Sequence, residues 1–521
     1  MNRMLYPIGI QSFSTIRERG YVYVDKTDYI WKLTTSGQFF FLSRPRRFGK
    51  SLLLSTIEEL FLGHRDLFEG LDISHKDYDW QTYPVLHLDF TGNDYMIPGS
   101  VEAVLNENLR IWEQRYEVRN IENSIGERFR KVIKAANEKT GLQVVILIDE
   151  YDKPLLETVD HPELQEKFRN QLRAFYGNLK SQDRYIRFAM LTGVTKFGHL
   201  SIFSDLNNLQ DISMVEEFAG ICGITDEELH RYFEPGVALL GEKRGYSTEE
   251  AYDKLRLNYD GYSFSPLGGP DIYNPFSVLN SLQAGWIRDF WFQTGTPTFL
   301  VKLIKSRQIE LQRLGHTQIP LQAVENVSFD LRSSLVPVLY QSGYLTIKDY
   351  DPETDLLTLG FPNREVERGF LLSLMNLYLP TDNDSAFSIA KFYEDVRDGR
   401  PGEFMTRMQS LFADFNQDGF NLLNLEQHYQ DITFLVFKLL GFLTDVEYKT
   451  ASGRIDMLVR TAGYIFVFEF KMDSSPETAL RQIDEKSYLL PFKADGRRLI
   501  KIGANFSSKT RSLDSWIIEE A

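Results

Sequence analysis

Runs of consecutive apolar residues alternate, over the first 215 residues, with stretches in which apolar residues recur every three or four positions. The runs predict buried strands, and the recurrent pattern predicts helices that bury one face. Strands that are apolar on both faces, alternating with helices, are typical of a parallel sheet covered by helices. The predicted strands are Gln38–Ser43, Pro84–Phe90, Gln143–Asp149 and Ile186–Gly193, and the main helices are Ser51–Leu62 and Val101–Arg115.

The pattern changes near residue 216 to helices with short hairpins and keeps this character to about residue 385. A helix predicted at Leu331–Tyr340 precedes a hairpin that turns near Asp351–Asp355. This order resembles a winged-helix unit, and a lid or spacer that packs on the first domain is the alternative. The acidic turn argues against a wing that inserts into DNA.

The last part of the chain predicts helices followed by two apolar strands that carry charge. A polar linker is predicted at Thr381–Ser385, so the predicted domains are residues 1–215, 216–385 and 386–521. The helices are predicted at Ile389–Arg397, Glu403–Phe412 and Leu425–Leu440, and they lead into G-R-I-D-M-L-V and I-F-V-F-E-F-K, the second of which covers Ile465–Lys471.

Composition limits the possible function classes. The chain has 521 residues, of which 43% are hydrophobic, and a formal net charge of −15. A length of this kind predicts two to four packed domains, and the negative charge excludes attraction to nucleic acid by bulk charge alone. Binding to nucleic acid would need local basic clusters. The sequence offers two candidates, although each could instead be a solvated surface. The candidates are Arg44, Arg46 and Arg47 in one loop, and Arg497, Arg498, Lys501, Lys509 and Arg511 near the C-terminus.

The chain carries one cysteine, Cys222, which excludes an intrachain disulfide and a cysteine-based zinc site. No signal-like segment opens the sequence, and no apolar run approaches the roughly 18 residues that a membrane span needs. We therefore expect a cytoplasmic protein without a membrane partner.

The loop R-P-R-R-F-G-K-S at residues 44–51 lies between a predicted strand and a predicted helix. It matches the spacing G-x-x-x-x-G-K-S at Gly49, Lys50 and Ser51, with Arg44 at the position of the first glycine. Backbone N–H groups and a helix N-terminus in this setting bind phosphate. We expect Lys50 to contact the β- and γ-phosphates of ATP and the Ser51 hydroxyl to ligate Mg²⁺.

The arginines of this loop replace the small residues that usually surround phosphate. Arg44, Arg46 and Arg47 are candidates for additional phosphate contacts, or for an arginine supplied to a neighbouring subunit of a ring or dimer. The alternative is that the guanidinium groups face solvent and the change is tolerated.

A second motif, V-V-I-L-I-D-E, ends an apolar strand with two carboxylates, Asp149 and Glu150. Following a phosphate loop by about one hundred residues, this order predicts Asp149 at the Mg²⁺ position and Glu150 beside an attacking water. The next strand ends in L-T-G-V-T-K, so Thr192 or Thr195 is a candidate polar sensor of the γ-phosphate. Capping of the following turn is the alternative for both threonines.

The two C-terminal apolar strands carry acids that need partners. Glu469 and Lys471 fall on one face of their strand because side chains alternate, and Asp456 lies in the preceding strand. An unpaired charge buried there would cost several kcal/mol, roughly, unless it pairs or binds something. We expect Asp456 and Glu469 to coordinate Mg²⁺ or Mn²⁺ and Lys471 to position a water or stabilise an anionic transition state. A structural Glu–Lys pair in an inactive domain is the alternative.

Several motifs together resemble the bacterial AAA-ATPase-like family, which typically carries a C-terminal PD-(D/E)XK nuclease-like domain. They are G-Y-V-Y-V-D-K-T at 20–27, R-P-R-R-F-G-K-S, L-I-D-E-Y-D-K-P at 147–154 and L-T-G-V-T-K-F. The resemblance covers nearly the whole chain and is weakest from about 220 to 420. It implies an α/β protein with an N-terminal P-loop NTPase parallel sheet that contains an additional strand, a helical or winged-helix-like middle region, and a C-terminal α/β nuclease-like domain.

The resemblance also implies roles for two further residues. It assigns Glu426 to a metal-proximal position on the helix before the acidic strands, although an acid in the first turn of a helix is favourable for its own reasons. Gln482 and Tyr488 resemble the Q-x-x-x-Y extension of RecB-type nucleases, which assigns Gln482 to the catalytic set. Tyr488 follows Gln482 by six residues instead of four, so its role is open.

Two hypotheses follow. The first is an ATP-driven or ATP-gated, metal-dependent nuclease that acts on nucleic acid, with DNA favoured over RNA, in genome defence or mobile-element biology. The second is a nucleotide-switched signalling or assembly ATPase whose nuclease-like domain only binds nucleic acid or protein.

Overall fold

The computed structural model describes two compact units, the first reaching to Val366 and the second beginning at Glu367. For residues 376–378, 385–387, 413, 425–430 and 445–448 the backbone is described without the side chains. The described residues are 4–119, 124–196, 208–292, 315–325, 334–378, 385–413, 425–441, 443, 445–448, 456–510 and 512–521.

The first unit is built on a five-stranded parallel sheet in the order β2-β3-β4-β1-β5. The fourth strand lies between the strand that precedes the phosphate loop and the strand that ends in Asp149, and it is the additional strand that the family resemblance implies. This confirms the predicted fold of the first domain. The strands are β1 (Phe39–Ser43), β2 (Val85–Asp89), β3 (Val144–Asp149), β4 (Ile186–Gly193) and β5 (Gln210–Asp211).

Helices surround this sheet, and both faces of its central strands are buried. Every residue of β3 is buried, as the continuous apolar run V-V-I-L-I-D predicts for a strand covered on both faces. The helices are α1 (Phe13–Glu18), α2 (Thr27–Ser36), α3 (Lys50–Phe61), α4 (Ser100–Arg115), α5 (Ile125–Thr140), α6 (Lys153–Glu157) and α7 (Pro162–Ser181).

The rest of the first unit is mainly helical. Its apolar core is formed by α8, α9 and α10 with the short antiparallel pair β6–β7, and includes Phe233, Leu255 and Tyr273. A three-stranded antiparallel sheet of order β8-β10-β9 follows, and its hairpin turns where the sequence predicts. The elements are β6 (Ile224–Thr225), α8 (Asp226–Arg244), α9 (Thr248–Tyr259), β7 (Ile272–Tyr273), α10 (Pro275–Ala284), β8 (Thr317–Pro320), α11 (Leu321–Glu325), α12 (Val336–Gln341), β9 (Thr346–Asp351) and β10 (Leu356–Gly360).

The second unit contains a mixed five-stranded sheet in the order β11-β12-β13-β14-β15. The central pair β13–β14 is parallel and the other pairs are antiparallel. The elements are α13 (Arg364–Tyr378), which spans the junction of the units, α14 (Ser385–Arg397), α15 (Pro401–Ala413), α16 (Leu425–Leu440), β11 (Asp445–Tyr448), β12 (Met457–Arg460), β13 (Tyr464–Met472), α17 (Pro476–Glu485), β14 (Arg498–Ser507) and β15 (Ser512–Glu520).

The two faces of β13 carry different side chains, as the alternating pattern predicts. Phe468 contacts Phe404 of α15 and Phe437 of α16 on one face. Ile465 and Val467 pack on the other face in an apolar cluster with residues of α17. Glu469 and Lys471 continue this second face, so α17 lies next to them.

The domain boundaries and the lack of a membrane-spanning segment were both predicted from the sequence. The predicted boundaries after residues 215 and 385 remain predictions, and most of the predicted linker Thr381–Ser385 lies outside the described residues. Within the part of the chain that the structure describes, no helix has the length and apolar character to cross a membrane.

Candidate active sites

The phosphate loop joins β1 to α3 at the carboxyl edge of the parallel sheet. Gly49 adopts a left-handed conformation with φ +96° and begins α3 without any side-chain cap. Apart from the two chain neighbours of Gly49, no atom of the described residues lies within 4 Å of the position of a Cβ at Gly49, so the space beside the loop is open. The uncapped N–H groups of the first turn of α3, which includes Lys50 and Ser51, are therefore available to an anion.

The carbonyl groups of the loop already have donors. Lys50 is buried, and its Nζ donates to Arg44 O at 3.0 Å and to Pro45 O at 3.2 Å. Trp291 Nε1 donates to Arg46 O at 3.1 Å, and the N–H of Gly223 donates to Phe48 O at 3.1 Å. In planar trans peptides the N–H points opposite to the C=O, so the N–H groups of the residues that follow Arg46 and Phe48 face the other side of the loop. This arrangement fits a bound phosphate chain.

The loop arginines differ in their surroundings. Arg44 is 1% exposed, and its guanidinium donates to the carbonyl groups of Ser213 at 2.7 Å and Phe218 at 3.1 Å. The structure thus uses Arg44 as an anchor of the loop and not, as the sequence suggested, as a phosphate contact. Arg46 is half-buried, and Arg47 is exposed with φ +69°. Their contact with phosphate remains a prediction.

The carboxyl ends of β1, β3 and β4 meet at this edge and place the second motif there. Asp149 is buried, and Thr192 Oγ1 donates to Asp149 Oδ1 at 2.5 Å. Glu150 is half-buried and has φ +50°, a conformation that non-glycine residues rarely adopt and that is often found at functional sites. Asp149 and Thr192 thus contact each other, whereas the roles of Asp149 on Mg²⁺ and Glu150 on water remain proposals.

Asp152 belongs to this site, and the sequence reasoning missed it. An aspartate before a helix is usually a cap, but this side chain makes no capping bond to α6. Its Oδ2 accepts from the N–H groups of Val194 and Thr195, at 3.0 and 2.7 Å, and from Thr195 Oγ1 at 2.9 Å. A Cβ at Gly193 would lie 2.6 Å from Asp152 Oδ1, which explains the glycine there. Asp152 therefore fixes the turn after β4. The Thr195 hydroxyl donates its proton to Asp152 and not to a ligand.

The ionisation of Asp152 should make stability depend on pH. Burial raises the pKa of this carboxyl to about 6 from 3.8, although the hydrogen bonds from Thr195 and the charge of Lys50 oppose the shift. The folded state then holds a proton that the unfolded state has released, so stability falls as pH rises from about 4 to about 6. A shift of about two pKa units corresponds to roughly 3 kcal/mol.

We therefore expect the wild type to lose unfolding free energy relative to Asp152→Asn as pH rises through this range, measured by urea denaturation. Other titrating groups are common to both proteins and cancel in the difference. A difference that stays constant between about pH 4 and pH 7 would contradict the prediction.

The charged residues of the second unit converge beside α17. Lys471 Nζ lies 2.8 Å from Glu469 Oε1 and donates to Gln482 Oε1 at 2.7 Å. Asp456 directly precedes β12, and its Oδ2 accepts from the N–H of Phe470 at 2.9 Å. The four residues predicted from the strands and from the Q-x-x-x-Y resemblance thus lie together.

The electrostatics of this cluster fit a cation. Glu469 is 1% exposed, and its Oε2 has no hydrogen-bond partner among the described residues. Burial raises the pKa of Glu469, Lys471 opposes the shift, and the charge of Asp456 adds to it. Burial also raises the pKa of Asp456. Two carboxyl groups that share a desolvated space, one with an unused oxygen, are the ligands that hard divalent cations prefer.

Two residues assigned by resemblance add less to this site. Glu426 lies in the first turn of α16, and its side chain is outside the described residues. Among the described residues, no group of three or more acids, histidines or cysteines is placed to hold a metal. Tyr488 is 7% exposed and belongs to the apolar cluster next to α17, which is a packing position.

The C-terminal basic cluster is largely neutralised by acids. Arg498 pairs with Glu520 at 2.7 Å, and Lys501 pairs with Asp484 and Glu519, each at 2.9 Å. Arg497 contacts Asp495. Cations that are paired in this way contribute little to binding a polyanion. Lys509 is exposed and Arg511 lies outside the described residues, so a basic surface at these two positions remains a prediction.

Known proteins match both units. Residues 7–203 match a family described as predicted AAA-ATPase, and residues 424–516 match the PD-(D/E)XK nuclease superfamily. The chain is also 35% identical over 531 residues to an Azotobacter chroococcum mcd 1 protein described as "Uncharacterized protein in vnfD 5'region", and the match covers 100% of this chain and 99% of that protein.

The parallel sheet with its phosphate loop and the mixed sheet with its acidic cluster define a protein that joins an ATPase-like domain to a nuclease-like domain. The chain belongs to the AAA-ATPase-like family with a C-terminal PD-(D/E)XK nuclease superfamily domain. The resemblance stated from the sequence motifs is confirmed.

Proposed function

We propose that the protein binds and hydrolyses ATP and that its second unit is a metal-dependent nuclease that cleaves nucleic acid, with DNA favoured over RNA. The single observation that supports the nuclease most strongly is the buried Glu469 carboxyl group: its Oε1 accepts from the Lys471 ammonium that also reaches Gln482, while its Oε2 has no hydrogen-bond partner among the described residues. If Glu469 and Lys471 formed only a structural ion pair, the burial of a second acid, Asp456, beside them would have no explanation.

In the first unit, the α3 N-terminus and Lys50 would bind the phosphates of ATP, and Ser51 and Asp149 would hold Mg²⁺. Glu150 would orient and deprotonate the attacking water. Because Thr192 donates to Asp149, its hydroxyl would fix the orientation of that carboxylate. Arg46 and Arg47 would add charge for the phosphates, in this copy or in a neighbouring copy of an oligomer.

In the second unit, Asp456, Glu469 and Glu426 would hold Mg²⁺ or Mn²⁺, which neutralises charge on the phosphodiester and lowers the pKa of water when bound. Lys471 would donate to the water or to the phosphate oxygens, and Gln482 would keep the Lys471 ammonium in place through the bond of 2.7 Å. The expected location is the cytoplasm, and defence against mobile elements is the expected setting.

One observation favours a second candidate function. Among the described residues, the pairing of Arg498 and Lys501 with acids removes two of the cations predicted to bind a polyanion, as expected of a nuclease-like domain that has become a non-catalytic binding module. The protein would then be a nucleotide-switched signalling or assembly ATPase.

Cleavage of nucleic acid separates the two candidates. Purified protein is incubated with supercoiled plasmid, linear DNA and single-stranded RNA, with Mg²⁺ or Mn²⁺, with and without ATP. The nuclease proposal expects nicking or cutting that a chelator stops. If no substrate is cut under any of these conditions while ATP is hydrolysed, the second candidate replaces the first.

A further inference from the structure

Glu365, in the first turn of α13, is a buried acid that the proposed mechanism does not use. The residue is 1% exposed. Its Oε2 accepts from Ser277 Oγ of α10 at 2.7 Å, and its Oε1 accepts from the backbone N–H of Trp291 at 2.7 Å. Burial raises the pKa of this carboxyl to about 8 from 4.5, although the hydrogen bonds from Ser277 and Trp291 oppose the shift. Glu365 is therefore mainly protonated at neutral pH and can donate as well as accept.

Trp291 connects this acid to the phosphate loop. Its backbone N–H donates to Glu365, and its indole Nε1 donates to Arg46 O at 3.1 Å. The residue is 7% exposed, and its ring centroid lies 5.4 Å from that of Tyr344. Trp291 thus joins Glu365 to a carbonyl group of the loop, with one hydrogen bond at each end of the residue.

The contact with Arg46 O bears on the phosphate site through the peptide plane. The carbonyl of Arg46 and the N–H of Arg47 belong to one planar peptide, so a donor that fixes the carbonyl also fixes the direction of the N–H. We propose that Glu365 is a positioning residue of the ATP site, which orients this peptide toward the phosphates by holding Trp291. The inference rests on the ATP binding proposed above and adds a residue that acts through the loop without touching the ligand.

The start of α13 is fixed by contacts that do not involve Glu365. Asn363 Oδ1 accepts from the N–H of Val366 at 3.1 Å, and Asn363 Nδ2 donates to Asp260 O at 2.8 Å. A change of the Glu365 side chain leaves both of these hydrogen bonds intact. Its main effect should therefore be to release Trp291, which makes the proposed role separable from the folding of the helix.

Calorimetry with ATP and with inorganic tripolyphosphate, each with Mg²⁺, tests the proposal on the full chain. Trp291→Phe removes the indole N–H and keeps an aromatic ring, so both ligands should bind about three- to tenfold more weakly, in line with the net contribution of one hydrogen bond. Glu365→Ala should weaken both ligands by about tenfold. Glu365→Gln should bind within about twofold of the wild type, because an amide, like a protonated carboxyl group, offers a donor and an acceptor.

Two further measurements distinguish positioning from a general loss of stability. The double variant Glu365→Ala/Trp291→Phe should bind within about twofold of Glu365→Ala alone, because both changes break the same chain of contacts. Hydrogen exchange of the peptide 286–292, which contains the Trp291 N–H, should slow when ATP binds to the wild type. It should not slow when ATP saturates Trp291→Phe, since a contact that strengthens ATP binding must itself be strengthened by ATP.

The matched control is Trp31→Phe, which removes an indole N–H that donates to Asp77 O, outside the phosphate loop. It should bind both ligands like the wild type. Unchanged affinity of a folded Trp291→Phe, weak binding by a folded Glu365→Gln, additive losses in the double variant, or unaltered exchange of the peptide 286–292 in the wild type would overturn the proposal. Trp291→Phe and Glu365→Gln decide the matter even if Glu365→Ala does not fold.

The outcomes also separate this proposal from the ATP function. If the wild type binds ATP and the variants bind it equally well, the ATP function stands and Glu365 has no positioning role. If the wild type binds neither ATP nor tripolyphosphate, the proposed ATP function fails, and the role of Glu365 fails with it.

Discussion

Asp456→Ala is expected to reduce metal-dependent cleavage of plasmid DNA by about a thousandfold or more. The substitution removes one of the carboxylates proposed to hold the cation, and a bound metal supplies several kcal/mol of transition-state stabilisation, each 1.4 kcal/mol being about tenfold in rate. Asp456 also accepts from the N–H of Phe470, so the isosteric Asp456→Asn is tested beside it to preserve that bond. Cleavage rates are measured under single-turnover conditions, and Mg²⁺ or Mn²⁺ affinity is measured by calorimetry.

The matched control for this prediction is Asp484→Asn, which removes an acid from α17, the helix that carries Gln482. Asp484 pairs with Lys501, and among the described residues no hydrogen bond or ion pair joins it to Asp456, Glu469 or Lys471, so its loss should leave cleavage within about twofold. Full activity in a folded Asp456→Ala variant would remove the acidic cluster from catalysis. A wild type without activity would leave the second unit as a binding module.

Glu150→Gln is expected to bind ATP like the wild type and to hydrolyse it about 100- to 10,000-fold more slowly, the usual contribution of a general base. The amide keeps the size and the backbone conformation of the residue but cannot accept a proton from water. Lys50→Ala is expected to lose ATP binding, because its ammonium is the charge placed in the loop beside the N-terminus of α3. Binding is measured by calorimetry and turnover by phosphate release.

Glu157→Gln serves as the control, because it removes an acid at the end of α6 in the same part of the first unit. It should leave both binding and turnover within about twofold. Equal hydrolysis by the wild type and Glu150→Gln would exclude Glu150 as the base. Undiminished ATP binding by a folded Lys50→Ala variant would place the nucleotide elsewhere.

Much of both sites could be predicted because their motifs are local. Gly49, Lys50 and Ser51 are adjacent in the chain, and a strand–loop–helix pattern surrounds them. Glu469 and Lys471 are two residues apart on one strand, so strand periodicity alone places them on the same face. Asp456 is farther away in the chain. Its placement beside Glu469 required only that β12 and β13 pair as a hairpin, which the structure shows.

Residues whose roles depend on distant partners could not be predicted. Arg44 was a candidate phosphate ligand because it stands in the loop at the position of the first glycine, but its partners are the carbonyl groups of Ser213 and Phe218, about 170 residues away. The sequence analysis assigned no role to Asp152, because only the pairing of β3 with β4 brings it to Thr195. The sequence suggested that the C-terminal cations form a basic surface, but the pairing of β14 with β15 places Glu520 beside Arg498 and neutralises it.

The sequence by itself determined the family, the strand and helix types of both units, and the residues proposed to carry chemistry, since short motifs and side-chain periodicity are local properties of the chain. Tertiary structure decided which charges remain free to act. It buried Arg44 against backbone carbonyls and left Glu469 Oε2 without a partner among the described residues. Whether a charged group is neutralised or can bind a ligand depends on its desolvation and on atoms that are distant in sequence. The local sequence pattern contains no information about either.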